Sequence, residues 1–294
     1  MTNQIAFIGL GNMGGPMAAN LVKAGHRVSG HDLSPQSREA AEASGLSLAS
    51  SAAEAVKDAD VVVTMLPAGK HVLSVWAEII DALKPGALMI DCSTIDVESA
   101  REAHRLAKEA SCLSLDAPVS GGTGGASAAT LTFMVGGAEE AFARGEPVLQ
   151  AMGRRIVHCG DAGAGQAAKI CNNMILGITM AGVCEAFVLG EKLGLSHQAL
   201  FDVASTSSGQ CWSLTTYCPV PGPVPTSPAN HGYKPGFAAA LMLKDLKLSQ
   251  EAAAAAGAAT DMGALAARLY ETFNETGHGG DDFSGLINFL RENR

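Results

Sequence analysis

Apolar residues in the first half of the chain fall into short runs, and these alternate with longer stretches patterned at three- and four-residue spacing. The runs read as buried strands and the patterned stretches as helices. Residues 4–9 (QIAFIG) make the first strand, and a helical pattern follows from about Met13 to Ala24, with Gly25 placed to end it. Strands are expected at 27–32, 60–66, 87–91, 112–116, 130–136 and 155–159. Helices are expected over roughly 70–83, from Val97 to Ala110, and up to about Met152. Repeated βα units of this kind imply a parallel, doubly wound sheet. Ligands bind such sheets outside the carboxyl ends of the strands, which here means Leu66-Pro67, Ser93-Thr94 and the loop after Asp116.

The pattern changes at Gly160. From there to Leu195 runs one long apolar-rich stretch without proline, opened by Gly160, Gly163 and Gly165. Near its start Lys169, Asn172 and Asn173 are spaced to share one side of a helix. A membrane span over 170–190 has sufficient length. Asn172, Asn173 and Glu185 inside it, and Lys169 at its edge, are costly in lipid and favour a core helix. No strand pattern recurs beyond this point. Residues 196–206 and 237–270 read as helices, and 283–291 as a short amphipathic one. Between them the Pro-rich segment from Cys218 to Pro235 has no periodicity and suits a lid or a contact surface.

Composition narrows the function. The chain has 294 residues, 47 % hydrophobic and 17 % charged, enough for two well-buried domains. A net charge of −9 argues against a nucleic-acid surface or a polybasic membrane anchor. The seven cysteines are scattered and show no metal-ligand spacing, so no metal site is expected and a reducing, cytoplasmic setting is. The N-terminus carries no basic region ahead of its apolar run, so no signal peptide is expected.

The first candidate chemistry lies directly after the first strand. Gly9-Leu10-Gly11-Asn12-Met13-Gly14 joins strand to helix, and the second strand ends in Asp32. This is the setting of a dinucleotide fingerprint: Gly9 for a tight turn, Gly11 for close approach to a pyrophosphate, Gly14 for helix–strand packing. The helix N-terminus then faces the pyrophosphate charge. A carboxylate at position 32 accepts hydrogen bonds from ribose hydroxyls and repels a 2′-phosphate, favouring NAD over NADP. The expected architecture is therefore α/β: a Rossmann-type NAD-binding domain over residues 1–162, then an all-α domain over 163–294, joined by a long interdomain helix.

A nicotinamide cofactor needs a group to handle the alcohol proton. None of Tyr217, Tyr233 or Tyr270 has a lysine four residues on, and no histidine has an obvious carboxylate partner. Lys169 remains. The positive end of its helix and partial burial would both draw an amine there toward neutrality, as a general acid and base requires. The glycine-rich loop from Asp116 to Gly125 reads equally as a mobile linker or as a cradle for a small carboxylate, with Ser120 and Thr123 as donors.

The pieces GLGNMGGPMAANLVKAGH, DAPVSGG and GAGQAAKICNN, in this order, resemble the β-hydroxyacid dehydrogenase family. MLPAG, IDCST, SSGQCW, YCPVPG, LMLKDL and DFS are similar to its 3-hydroxyisobutyrate dehydrogenase branch. The resemblance covers essentially the whole chain. It implies that Gly9, Leu10, Gly11, Asn12, Met13, Gly14 and Asp32 hold NAD, with Leu66, Pro67, His71 and Thr94 along its path and Lys244 closing over it. It further implies that Ser120, Gly121 and Gly122 bind the substrate carboxylate, with Thr94 beside them. Lys169 would be the acid/base, Asn173 would hydrogen-bond the substrate, and Trp212 would line the substrate side. The implied activity is NAD-dependent oxidation of 3-hydroxyisobutyrate in valine breakdown, by a homodimer or homotetramer. Another small hydroxyacid, such as tartronate semialdehyde in the reductive direction, is the alternative, and a catalytically inactive NAD-binding protein is the alternative from a different class.

Overall fold

The computed structural model describes residues 2–292, and the chain forms two compact units that meet between Lys169 and Ile170. The first unit begins with β1 (Gln4–Ile8), α1 (Gly14–Lys23), β2 (Arg27–His31), α2 (Pro35–Ala43), β3 (Ser47–Leu48) and α3 (Ala52–Val56). It continues with β4 (Val61–Thr64), α4 (Gly69–Ile79), β5 (Leu88–Asp91), α5 (Val97–Glu109) and β6 (Leu113–Asp116). Then come β7 (Val119–Ser120), α6 (Gly122–Ser127), β8 (Leu131–Gly136), α7 (Glu139–Gln150) and β9 (Gly153–Gly160).

The sheet order is β3-β2-β1-β4-β5-β6-β8-β7, with β9 also paired to β8. Its central strands are buried on both faces, so each contributes alternate residues to two cores. Ile5, Phe7, Val61, Val63, Leu88 and Ile90 face α1 and α7 on one side, while Ala6, Ile8, Val62 and Met89 meet Trp76, Ile79 and the alanines of α5 on the other.

The pairing departs from the expected all-parallel sheet in one place. β1 to β6 are parallel, but β8 runs antiparallel to β6 and β7. The connection explains it. A parallel partner needs a full crossover, and only the short β7–α6 segment links β6 to β8. α7 does supply a crossover between β8 and β9, and those two are parallel.

α8 (Ala164–Lys192) is one continuous helix of 29 residues, a little shorter at both ends than the apolar stretch that predicts it. By length and composition alone it could cross a membrane. Core helices pass the same test, and in the second unit Met180, Cys184 and Phe187 of α8 are buried against Leu214, Met242, Leu246, Tyr270 and Phe283. The elements there are α9 (His197–Ala204), α10 (Trp212–Thr215), α11 (Ala239–Ala256), α12 (Asp261–Phe273) and α13 (Leu286–Glu292). The single helix expected over 237–270 is thus two, divided where Gly257 takes the left-handed conformation (φ +68°) and caps α11. The Pro-rich segment holds a short 3₁₀ turn, Pro228–His231, and is pinned by Tyr233 Oη donating to the Pro219 carbonyl.

Candidate active site

The fingerprint turn is built as its spacing requires. Gly9 has φ +96°, and a Cβ there would strike the Met65 carbonyl; a Cβ on Gly14 would strike the Gly9 carbonyl. Gly11 faces open space, which is the room a pyrophosphate needs. Asp32 follows β2 and holds the turn in place: its Oδ2 accepts the Leu10 N–H at 2.6 Å and its Oδ1 accepts the Ser34 N–H at 2.7 Å. The glycine positions therefore fit a dinucleotide turn. A groove of about 570 Å³ starts at Leu10, Gly11 and Asn12 and runs between α1 and α2 toward Lys23 and Ser44. Leu66, Pro67, His71 and Thr94 do not line it, so it is separate from the nicotinamide path implied by the family pattern.

Asp32→Asn tests whether the charge at this position excludes a 2′-phosphate. The ratio of kcat/KM for NAD to that for NADP should fall by about tenfold or more, a shift of ~1.4 kcal/mol or more. An unchanged ratio would assign Asp32 to the turn alone.

Three polar residues lie side by side at the carboxyl ends of neighbouring strands, where Thr64 pairs with Asp91 and Asp91 with Asp116. All three are buried. Asp91 Oδ1 accepts from Thr64 Oγ1 at 2.7 Å and from Ser93 Oγ at 2.6 Å. Ser93 Oγ in turn accepts the Leu66 N–H at 2.8 Å, and Trp76 Nε1 donates to Thr64 Oγ1 at 3.3 Å. The Leu66-Pro67 and Ser93-Thr94 loops thus share one buried root. Asp91 Oδ2 has no hydrogen-bond partner.

Burial pushes the Asp91 carboxyl up to about 6, against the opposing hydrogen bonds from Ser93 and Thr64 and with the nearby Asp116 charge adding to the rise. The folded state then holds this proton more tightly than the unfolded chain, so its stabilising effect is complete below about pH 4 and is lost as pH rises through about 6. Measured against Asp91→Asn, which has no such proton, wild-type unfolding free energy should decline by roughly 2 kcal/mol between pH 4 and pH 7.5. Denaturant titration of both proteins across that range checks it; parallel profiles would refute it.

Asp116 anchors the start of α8. Its Oδ1 accepts the Gly163 N–H at 2.8 Å and its Oδ2 the Gln166 N–H at 2.9 Å, so one carboxylate satisfies two N–H groups at the helix start. His104 Nε2 contacts Oδ1 at 2.9 Å, and Ser114 Oγ holds His104 Nδ1 at 2.7 Å. A Cβ on Gly165 would collide with the carbonyls of Asp116 and Met134, so the helix start lies directly on the ends of β6 and β8. Lys169 follows one turn later and is 7 % exposed. The Ser120 segment leaves from the same strand end as Asp116.

Ser120 ends β7. Gly121 (φ +134°) caps α6, and Asn20 Nδ2 on α1 donates to the Ala126 carbonyl of that helix at 2.7 Å. His71 and Pro67 are exposed, while Leu66 and Thr94 are half-buried.

In the second unit Asn173 is buried, while Asn172 is exposed. The Asn173 side-chain amide donates to Asp245 Oδ2, and its carbonyl accepts from Asn172 Nδ2 at 2.9 Å. Lys244 precedes Asp245 on α11 and is half-buried. Trp212 is 49 % exposed and stacks on Tyr217 with ring centroids 4.9 Å apart, which makes it a surface-lining ring rather than a core one. Asp91, Asp116 and Asp245 were not singled out from sequence. The first two do end apolar strands, in LMID and LSLD, where a ligand or an anchor is expected.

Residues 4–160 match the family model described as the NAD-binding domain of 6-phosphogluconate dehydrogenase. Residues 163–290 match that described as the NAD-binding domain of NADP-dependent 3-hydroxyisobutyrate dehydrogenase. A solved structure of Mycobacterium tuberculosis 3-hydroxyisobutyrate dehydrogenase with L-serine superimposes with a TM-score of 0.96 at 55 % identity, covering 99 % of this chain and all of that one. The chain belongs to the β-hydroxyacid dehydrogenase family. It is an NAD-binding oxidoreductase of that family, similar to the 3-hydroxyisobutyrate dehydrogenases. The 3-hydroxyisobutyrate dehydrogenase of Pseudomonas aeruginosa is 50 % identical over 292 residues, spanning 98 % of each chain. The NAD-dependent L-serine dehydrogenase of the same organism is 48 % identical over 284 residues, spanning 96 % of this chain and 95 % of that one.

Proposed function

We propose that this dehydrogenase oxidises 3-hydroxyisobutyrate to methylmalonate semialdehyde, with Lys169 as the acid/base. What carries the reading is a buried lysine one turn into a helix whose start is fixed to Asp116, at the end of the strand from which the Ser120 segment leaves. Gly9, Leu10, Gly11, Asn12, Met13, Gly14 and Asp32 would hold the adenosine and pyrophosphate, and Leu66, Pro67, His71, Thr94 and Lys244 would serve the rest of the cofactor. When bound, NAD⁺ supplies the acceptor for the hydride of the carbinol carbon. Lys169 Nζ, uncharged, takes the hydroxyl proton, and in the reverse direction returns it. Ser120 donates its hydroxyl to the substrate carboxylate beside Gly121 and Gly122, and Asn173 and Trp212 complete the pocket. Gripping the carboxylate apart from the reacting carbon lets binding energy orient the carbinol.

L-Serine is the second reading, favoured by the similarity to an L-serine dehydrogenase and to a structure holding L-serine. Both molecules offer a carboxylate and a β-hydroxymethyl group, and they differ in a methyl against an ammonium at the α-carbon. A site that offers no anion to the α-substituent favours the methyl, because burial of an unpaired ammonium is costly. Comparing kcat/KM for the two decides between them: the proposal expects 3-hydroxyisobutyrate to lead by about tenfold or more. A cytoplasmic homo-oligomer completes the proposal. Exposed Ile175, Leu189, Leu193, Leu195 and Val203 of the second unit give a second copy an apolar surface; light scattering showing only monomer would refute it.

A further inference from the structure

The side chain of Gln166 has no part in binding or proton transfer as described so far, yet it is fully buried. It stands three residues before Lys169 on α8. Its Nε2 donates to the Ser93 carbonyl at 2.8 Å, and its Oε1 accepts the Ile95 N–H at 3.1 Å. These two backbone groups flank Thr94. Both ends of one amide therefore clasp the peptide units on either side of a residue assigned to the cofactor and substrate path. The partners lie 71 and 73 residues away in sequence, so no local turn accounts for the contact. The same loop is held from below, where Ser93 Oγ donates to Asp91 and accepts from Leu66 N–H. The backbone of Gln166 is fixed independently by Asp116.

We infer that Gln166 is a positioning residue that sets the distance between Thr94 and Lys169, by clamping the Ser93–Ile95 loop to the helix that carries the lysine. The inference rests on Lys169 being the acid/base. A buried amide with both ends satisfied is rigid, and losing it leaves a carbonyl and an N–H unpaired in the interior. A shift of the loop by about 1 Å relative to Lys169 is enough to cost a large factor in rate. The ADP half of the cofactor is held by the Gly9–Gly14 turn and Asp32, which Gln166 does not touch, so affinity for NAD should survive.

The test is Gln166→Met, close in volume and unable to make either bond. Functional sites are counted by NADH fluorescence titration, and kcat with 3-hydroxyisobutyrate is expressed per NADH-binding site. The expected result is a fall in kcat per site of roughly 10- to 100-fold, with the NADH Kd changed by less than about threefold. A variant that merely loses folded protein loses sites in proportion and keeps kcat per site, and that outcome overturns the inference. Gln166→Glu gives an independent reading. Its protonated carboxyl can donate to the Ser93 carbonyl and accept from Ile95, whereas its ionised form cannot donate. Its kcat relative to wild type should therefore climb as pH falls, and a flat ratio also overturns the inference. If Lys169→Ala keeps its activity, the acid/base reading itself has failed. If Lys169→Ala is inactive while Gln166→Met is normal, only the positioning role has failed.

Discussion

Lys169→Ala should lose turnover by roughly a thousandfold while its affinity for NADH changes little. The size follows from what is removed. A positioned acid/base contributes about 10²- to 10⁴-fold, and the buried carboxylates Asp91 and Asp116 are committed to Ser93, Thr64 and the start of α8. Affinity should survive because the fingerprint turn and Asp32 are built from β1, β2 and α1, with hydrogen bonds of their own. Lys169→Arg separates proton transfer from charge. A guanidinium keeps the positive charge but holds its proton at any working pH, so this variant should be nearly as inactive as the alanine one. Substantial activity in Lys169→Arg would reassign the lysine to charge stabilisation. Steady-state rates together with NADH titration read both quantities.

Asp116→Ala should be the most destabilising single change in the first unit. The carboxylate is buried and holds the Gly163 and Gln166 N–H groups and His104 Nε2. Its removal leaves two helix-start donors unpaired next to the strand ends, and each orphaned buried group costs about 1–3 kcal/mol. A total of about 4 kcal/mol is expected, lowering Tm by roughly 10 °C. Because α8 carries Lys169, kcat should fall as well, even at temperatures where the variant is fully folded. A Tm within a few degrees of wild type would show that water or a neighbouring group can replace the carboxylate.

The elements that were legible in the sequence are those with a local cause. β1, β4 and β5 are short, largely apolar runs with a glycine or proline break near one end, and the fingerprint turn places Gly9 and Gly14 where only a missing Cβ fits. Lys169 was found by elimination among possible proton carriers. α2 was not foreseen, although Ser34-Pro35 is a helix-start signal, because only Ala41 of that helix is buried and its apolar period is weak. α6 was hidden by glycines at 122, 124 and 125, which disfavour a helix; its fastening by Asn20 on α1 overrides that preference. The antiparallel direction of β8 depends on the length of its connection rather than on any residue within it. Asp91, Asp116, Gln166 and Asp245 depend on partners distant along the chain, except for the Asp91–Ser93 bond, and spacing alone does not reveal such pairs.

The most direct test is NADH formation by the purified wild-type protein with NAD⁺ and 3-hydroxyisobutyrate, run beside L-serine under the same conditions. The expected result is rapid NADH formation with 3-hydroxyisobutyrate, at a kcat/KM about tenfold or more above that for L-serine, and its abolition in Lys169→Ala. A preference for L-serine would contradict the proposed substrate, and undiminished NADH formation in the alanine variant would contradict the role of Lys169.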